Sequence, residues 1–323
     1  MQQRLLLLSA SLLVAAGCAT FSSLGSRPLA ENQTLADHLL VDLSHVYVTS
    51  ADGPSTRIVR VSKEREGPPV VLATVPGKIA DTALDGDFVY WVVDHPDAAE
   101  PVATIQKAPK GAAGPITTVV RSPNRVTSLA FDAMHLYFTQ AGNPNDPNPF
   151  RSPGVLRLML LGDASPANVV TAQRGVPSSL AMNGTHVFWV NHRAGEDVTI
   201  MSLAKAGGEP AALATVQDII TGNAAPALVA DDRNVYFLTA NSLMQVPVQG
   251  GKTTELAHVR MGDSAHLVFD YTSLYFVAEQ GLMRMPLAGG AAVVVSAQRA
   301  TDIATDDRAV YWISGANVMY FLK

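Results

Sequence analysis

Four side chains able to ligate a metal ion or transfer a proton recur at one position of the sequence. His38, Asp81, His266 and Asp302 each lie four residues before another aspartate. Imidazoles and carboxylates that converge at one point could bind a divalent cation or polarise a small ligand. The alternative is that these are hydrated polar positions whose side chains pair among themselves. The sequence leaves both readings open. A divalent cation bound by these four residues is the one cofactor that we consider.

A second set of polar side chains lies in four long segments rich in Pro, Asn and Asp. The segments are TSADGPSTR, VVDHPDAAEPVAT, TQAGNPNDPNPFRSPG and VNHRAGEDV. Function on a repetitive scaffold often resides in such insertions. Candidate ligand-binding residues are therefore Asp94, His95, Asn145, Asp146, Arg151, His192 and Glu196. Idle surface loops that tolerate insertion are the competing explanation.

Linear catalytic motifs do not occur in this sequence. It has no nucleophile elbow, P-loop, dinucleotide fingerprint, HExxH or Cys/His metal pattern. We therefore name no catalytic residue. Enzymes built on repeats scatter their catalytic groups, so a metal-dependent hydrolase or lyase that uses the four His/Asp residues stays a candidate.

The elements that must position these residues come from a phrase repeated seven times. Each copy has an apolar run, a polar turn residue, and an aromatic residue five positions later. The turn residues are Asp42, Asp85, Asp132, Asn183, Asp231, Asp270 and Asp306. Successive turn residues are 43, 47, 51, 48, 39 and 36 residues apart.

Each copy predicts four short strands. The apolar run fits a strand buried on both faces, and the turn residue can accept hydrogen bonds from amides two and three residues on. The aromatic residues at the fifth and sixth positions after the turn residue begin a second strand. Segments such as SLMQVPV (242–248) and KTTELA (252–257) supply the third and fourth strands. Four strands in a unit of this length predict an all-β, seven-bladed β-propeller with four-stranded antiparallel blades.

The ends of the chain predict how the ring closes. The seventh unit stops at Lys323 after three strands, and residues 28–36, PLAENQTLA, resemble the ends of the fifth and sixth units. We expect this N-terminal segment to complete the last blade, which would remove exposed sheet edges. The propeller would then span residues 28–323.

The repeat resembles those of bacterial propellers with a D-x-x-x-V-Y-W core. It is more distantly similar to TolB-type periplasmic propellers and to YWTD propellers. The resemblance implies a fold, because such repeats serve many unrelated functions.

The first residues, MQQRLLLLSASLLVAAGC, predict an export signal. Arg4 precedes the apolar run of residues 5–16, which is too short for a membrane-spanning helix. Ala-Ala-Gly-Cys resembles the lipobox of bacterial lipoproteins, which implies a signal peptide over 1–17 and a lipidated tether over 18–27. Cys18 is the single cysteine of the chain. An ordinary signal peptide, with Cys18 incidental, is the alternative.

Composition narrows the possible partners. The net charge of −5 gives no basic surface for nucleic acid. By the lipobox resemblance, we expect a lipid anchor to the outer membrane of a bacterium, on the periplasmic or the surface side, and no other membrane contact. We expect a monomer that binds a protein, peptide or glycan through its loop-rich face without catalysis. A purely structural role in an envelope complex is a third possibility.

Overall fold

The computed structural model describes residues 25–33, 36–64, 67–95, 101–141, 154–159, 167–171, 176–192, 197–216, 227–262 and 266–323. Within these ranges the strands form seven four-stranded antiparallel sheets. Strand β1 (Arg27–Ala30) belongs to the last sheet. Blade 1 contains β2 (Ala36–Val41), β3 (His45–Asp52), β4 (Ser55–Ser62) and β5 (Val70–Pro76). Blade 2 contains β6 (Ile79–Leu84), β7 (Phe88–Asp94), β8 (Ala103–Pro109) and β9 (Thr117–Ser122).

The remaining blades follow in chain order. Blade 3 contains β10 (Arg125–Phe131), β11 (His135–Ala141), β12 (Gly154–Met159) and β13 (Ala167–Thr171). Blade 4 contains β14 (Val176–Met182), β15 (His186–His192), β16 (Val198–Ala204) and β17 (Ala211–Val216). Blade 5 contains β18 (Leu228–Ala230), β19 (Asn234–Leu238), β20 (Ser242–Pro247) and β21 (Thr254–His258). Blade 6 contains β22 (Leu267–Phe269), β23 (Ser273–Ala278), β24 (Gly281–Pro286) and β25 (Val293–Ser296). Blade 7 contains β26 (Ile303–Thr305), β27 (Ala309–Ser314) and β28 (Asn317–Leu322), followed by β1.

The first strands of successive sheets contact one another around a ring, and β26 contacts β2 to complete it. The chain folds as a β-propeller. The prediction of an all-β propeller with four-stranded antiparallel blades is confirmed.

The N-terminal strand lies where the sequence predicts, but it is shorter. Strand β1 pairs with β28 and places Ala30 opposite Val318. Residues 28–36 do not all form a strand of blade 7, because β1 ends at Ala30 and Ala36 already begins β2, although Gln33 N still donates to Ala316 O of blade 7 at 2.7 Å. The connection to blade 1 needs the residues that follow Ala30.

The propeller has two distinct faces. The turn residues and the turns between third and fourth strands lie on one face, which we call the turn face. The segments between second and third strands, and those between blades, lie on the opposite loop face. Strand β1 is the fourth strand of its blade, so it begins at the turn face and runs toward the loop face.

The core lies between blades and is centred on the second strands. Strands such as β7 and β27 are almost wholly buried, with Trp91 and Trp312 at 0% exposure. The first strands were expected to be buried on both faces, but β2 and β10 carry mainly half-buried residues. They are the inner edge strands of the ring, so they have neighbours on fewer sides than the second strands.

Every turn residue makes the same local hydrogen bonds. Its Oδ1 accepts from the backbone N–H groups two and three residues later, as Asp42 does from Ser44 at 3.0 Å and His45 at 2.8 Å. In blades 1, 2, 5, 6 and 7 its Oδ2 also accepts from the tyrosine hydroxyl five residues on, as in Tyr47–Asp42 at 2.8 Å. This explains the constant offset of five. Burial and the carboxylate together raise the pKa of Tyr236 to about 12.

A lysine after the third strand joins neighbouring blades. Lys110 of blade 2 donates to the Asp42 carboxylate of blade 1 at 3.1 Å and to the carbonyl of its own turn residue, Asp85, at 2.9 Å. Lys63 makes the same pair of contacts, with the Asp306 carboxylate and with Asp42 O. The equivalent lysines of blades 4 and 7 are Lys205 and Lys323. Burial raises the pKa of each contacted carboxylate, but the lysine and the local hydrogen bonds outweigh it, so the net pKa falls.

Blades 5 and 6 both lack this lysine, with Val248 and Leu287 in its place. The turn residue before blade 5 also differs, whereas Asp231, before blade 6, is still an aspartate. Val248 occupies the lysine position, because its N–H donates to Arg233 O as that of Lys63 does to Ser44 O. The preceding turn residue is the neutral Asn183, whose Nδ2 donates to Asp231 O at 2.9 Å. At this junction the amide supplies the donor that lysine supplies in blades 1, 2, 4 and 7. Because Asn183 is neutral, it does not require a cation.

Candidate functional site

The inner strands of blades 1 to 4 share an irregularity near the four His/Asp positions. Their pairing with the second strand shifts register at His38, Asp81, Ser128 and Ser179, or at the residue beside each. Ser179 has a φ of +47°, which non-glycine residues rarely adopt. Such bulges redirect a side chain relative to a regular strand. They orient these side chains toward the neighbouring blade.

Asp302 links three blades. Its Oδ2 accepts from Leu39 N of blade 1 at 2.7 Å. Its Oδ1 accepts from Ile303 N at 2.7 Å and lies 2.9 Å from His266 Nδ1 of blade 6. Burial alone would lower the pKa of His266, but the Asp302 carboxylate outweighs it and the net pKa is raised. Asp302 thus holds the junction at which the ring closes.

Asp81 likewise accepts a backbone N–H group of a neighbouring blade, and so connects blades 2 and 3. Its Oδ2 accepts from Leu129 N at 2.7 Å and its Oδ1 from Thr82 N at 2.8 Å. Burial raises its pKa against the opposing effects of His38 and these hydrogen bonds. Ser128, at the equivalent position of blade 3, accepts from Leu180 N of blade 4 at 3.1 Å. This position therefore connects the inner strands of successive blades.

His38 completes the set of four residues proposed as a metal site. Its Nε2 lies 3.3 Å from Ile79 O, and its backbone N–H donates to Thr49 Oγ1 at 2.9 Å. The structure thus brings His266 and Asp302 into direct contact, whereas His38 and Asp81 bond to other partners. Among the described residues, no group of three or more His, Cys, Asp or Glu side chains is arranged to hold a metal ion.

Three of the seven loop candidates lie in the described ranges. Asp94 Oδ2 accepts from Arg125 Nη2 of blade 3 at 3.0 Å. His95 Nε2 lies 3.1 Å from Thr104 Oγ1 of its own blade. Burial lowers the pKa of His192, at the end of β15 in blade 4. The other four candidates, Asn145, Asp146, Arg151 and Glu196, lie outside the described residues, as does Cys18.

A cleft of about 470 Å³ opens on the loop face between blades 1 and 2. The hydroxyl-bearing residues Thr49, Ser55 and Thr56 line it, together with small residues of both blades. Asp37 and Lys78 lie at its rim with 3.4 Å between Oδ2 and Nζ, and their side chains are 52% and 83% exposed. Ile79 also lines the cleft, so it adjoins His38.

Sequence reasoning missed this cleft as a site. The segment TSADGPSTR is one of the four long loops, and it contributes Gly53 through Thr56. None of its residues is among the predicted candidates. Its polar wall is completed by Gly77 and Lys78 of the connector to blade 2, which no motif marks.

Solved structures share this fold at low sequence identity. Virginiamycin B lyase from Staphylococcus aureus is 12% identical with a TM-score of 0.65, covering 92% of this chain and 98% of its own. A gluconolactonase from Xanthomonas campestris is 12% identical with a TM-score of 0.53, covering 92% and 89%. TolB from Acinetobacter baumannii is 10% identical with a TM-score of 0.52, covering 89% and 79%. No protein-family model and no curated protein matches the chain. The distant relationship to propellers of the TolB kind is thus supported at the level of the fold.

The described part of the chain holds no helix long and apolar enough to cross a membrane.

Proposed function

We propose that this chain is a lipid-anchored propeller of the bacterial outer membrane, with seven blades closed by the N-terminal strand. It acts as a monomer that binds a protein, peptide or glycan through its loop face, without catalysis. The observation that carries the proposal is the 470 Å³ cleft between blades 1 and 2. Its volume lies within the range of roughly 300–1,000 Å³ typical of ligand sites.

The lining of the cleft suits a polar, hydroxyl-bearing or amide-bearing ligand. Thr49 and Ser55 present hydroxyl groups, which both donate and accept hydrogen bonds. Asp37 and Lys78 add one charge of each sign at the rim. Sugar hydroxyls and peptide groups likewise both donate and accept, so a glycan or an extended peptide segment complements this surface.

The inner ring supports a scaffold that holds its loops in fixed positions. Asp302 and Asp81 accept backbone N–H groups of the next blade, at 2.7 Å in each case. Carboxylates fixed in this way connect the inner strands, and His38 Nε2, 3.3 Å from Ile79 O, links blades 1 and 2 beside the cleft. A preorganised site of this kind loses less entropy when it binds.

A matched pair of substitutions tests the binding site. Ser55 and Ser62 are half-buried residues at the two ends of β4, and each lines a separate cleft, on the loop face and near the turn face. Ser55→Trp fills the loop-face cleft, whereas Ser62→Trp fills the other. On arrays of immobilised glycans and peptides, the parent should bind one class, Ser62→Trp should bind it equally, and Ser55→Trp should lose it. Equal binding by both variants, or no binding by the parent, would refute the proposal.

The lipid anchor has its own test. Cys18→Ser should release a soluble protein with the same circular dichroism spectrum and melting temperature as the parent. Membrane association that persists in this variant would contradict a single lipid anchor.

A metal-dependent hydrolase or lyase is the second candidate. The contact between His266 and Asp302 favours it, because the imidazole is 38% exposed and could accept a ligand. Elemental analysis of the purified chain should then show stoichiometric metal that is lost in the His38→Ala, His266→Ala variant. A lack of metal in both proteins, with no change in melting temperature on adding zinc or calcium, would exclude the metal-dependent enzyme.

A further inference from the structure

Large exposed hydrophobic side chains in the described residues are confined to one side of the disc. Those with the highest exposure are Tyr271 at 98%, Leu43 at 89%, Leu322 at 63% and Met134 at 55%. Leu43 and Tyr271 directly follow turn residues, and Leu322 ends β28, so all lie at the turn face. The others, Val71, Ile116 and Val293, lie at or near the turn-face ends of β5, β9 and β25.

Three of these side chains lie in one sector of adjacent blades. Tyr271 belongs to blade 6, Leu322 to blade 7 and Leu43 to blade 1. Soluble monomers seldom keep such groups together without a use for them. Aromatic rings with a polar tip are enriched where a protein meets the lipid headgroup region, and exposed leucines can insert there beside them.

The N-terminal tether leaves the propeller at the centre of this sector. Strand β1 starts at the turn face of blade 7, where Arg27 pairs with Tyr320. Gly25 lies beside the Phe321 ring, next to Leu322. Gly25 lies seven positions after Cys18. Even fully extended, this segment spans at most about 25 Å, so a lipid on Cys18 keeps this sector close to the bilayer.

We propose that the sector formed by Tyr271, Leu322 and Leu43 rests on the phospholipid surface, so that the loop face and its cleft point away from the membrane. The inference rests on the proposed lipid anchor at Cys18. It differs from the expectation that the lipid would be the only membrane contact. Shallow apolar contacts of this kind would add to the membrane affinity that the lipid supplies.

The charges of the sector indicate which lipids it accepts. Arg308 Nη1 lies 3.5 Å from Glu64 Oε1 near the tether, and Lys63 and Lys323 are each paired with carboxylates. The described charges are thus largely balanced. The contact should therefore form on neutral phosphatidylcholine without needing anionic lipid.

Tryptophan substitutions at exposed sites provide the test. The three native tryptophans are almost fully buried and give a constant background. Leu43→Trp and Tyr271→Trp report on the sector, and Lys78→Trp, at an exposed residue of the loop face, is the matched control. Each lipidated protein is reconstituted into phosphatidylcholine vesicles with brominated acyl chains, which quench only nearby tryptophan.

The expected result is fractional quenching about twofold greater or more at positions 43 and 271 than at 78. Equal quenching at all three positions, stronger quenching at 78, or water-like emission at 43 and 271 would overturn the orientation. In a second arm, the chain from Cys18 onward is coupled through that thiol to a maleimide lipid. Vesicle binding only after coupling would refute natural lipidation, while the quenching pattern would still decide the orientation.

Discussion

Lys63 provides a quantitative test of how neighbouring blades are held together. Its ammonium group contacts the Asp306 carboxylate of blade 7 and Asp42 O of blade 1, and the two charged side chains are only 7% and 13% exposed. Removing one partner of a buried ion pair costs about 3–5 kcal/mol. Asp306 keeps three donors, from Arg308 N, Ala309 N and Tyr311 OH. We therefore expect Lys63→Val to lower the free energy of unfolding by about 2–3 kcal/mol.

The expected change is measurable by thermal and urea denaturation. With an unfolding entropy of about 2 cal/mol/K per residue, a chain of this length should lose about 4 °C of melting temperature. Lys78→Val is the control, because its 3.4 Å contact with Asp37 joins two exposed side chains and is worth less than about 1 kcal/mol. Equal effects of the two substitutions would refute the assigned role of the buried lysine.

A second substitution should rescue the first. Asp306→Asn in the Lys63→Val chain approaches the natural junction formed by Asn183 and Val248, in which Phe188 takes the place of Tyr311. The new amide can donate to Asp42 O, and no unpaired carboxylate remains. Most of the lost stability should return, and a double variant less stable than Lys63→Val would contradict the proposed exchange of lysine for asparagine.

Three further perturbations test other junctions. Asn183→Asp should cost about 1–2 kcal/mol in urea denaturation, and Val248→Lys in the same chain should recover it; a purely additive loss would argue against the pairing. Removing residues 1–30 should lower stability by roughly 2–4 kcal/mol relative to removing 1–24, because β1 leaves blade 7; equal melting would contradict closure by β1. Because the folded-state pKa of His266 is raised, its contribution is complete below pH about 6.5 and is lost as pH rises through the folded value. The stability difference between parent and His266→Gln should therefore be larger at pH 5.5 than at pH 9, and a difference independent of pH would mean that the pair with Asp302 does not form.

The repeated phrase made most of the fold predictable. Asp42 and Tyr47 lie in one copy, and their hydrogen bond requires only the local turn, so the constant offset revealed it. The missing strand of blade 7 could be inferred because the strands had to complete whole blades. The extent of β1 was less predictable, since only Pro28 and Ala30 of the predicted residues 28–36 pair in register with β28.

The functional positions were less predictable because their partners belong to different repeats. Asp81 and Asp302 were assigned as potential metal ligands from residue type and their common position in the repeat. Their backbone partners, Leu129 N and Leu39 N, depend on register and on how blades meet, which residue type does not encode. The cleft likewise depends on Ser55 and Lys78 meeting across two blades, although they are 23 residues apart in the sequence.

Closure by β1 also fixes the order of events during synthesis. The first strand to leave the ribosome pairs with the last, which begins nearly 290 residues later. At about 5–20 residues per second, β1 waits roughly 15–60 s for its partner. During that time the unpaired edge of β1 is open to proteases and to other chains, and no shortened product can complete the ring. Sealing of blade 7 therefore requires that synthesis has passed β28, and a nascent protein stalled before β28 should be the form that proteases remove.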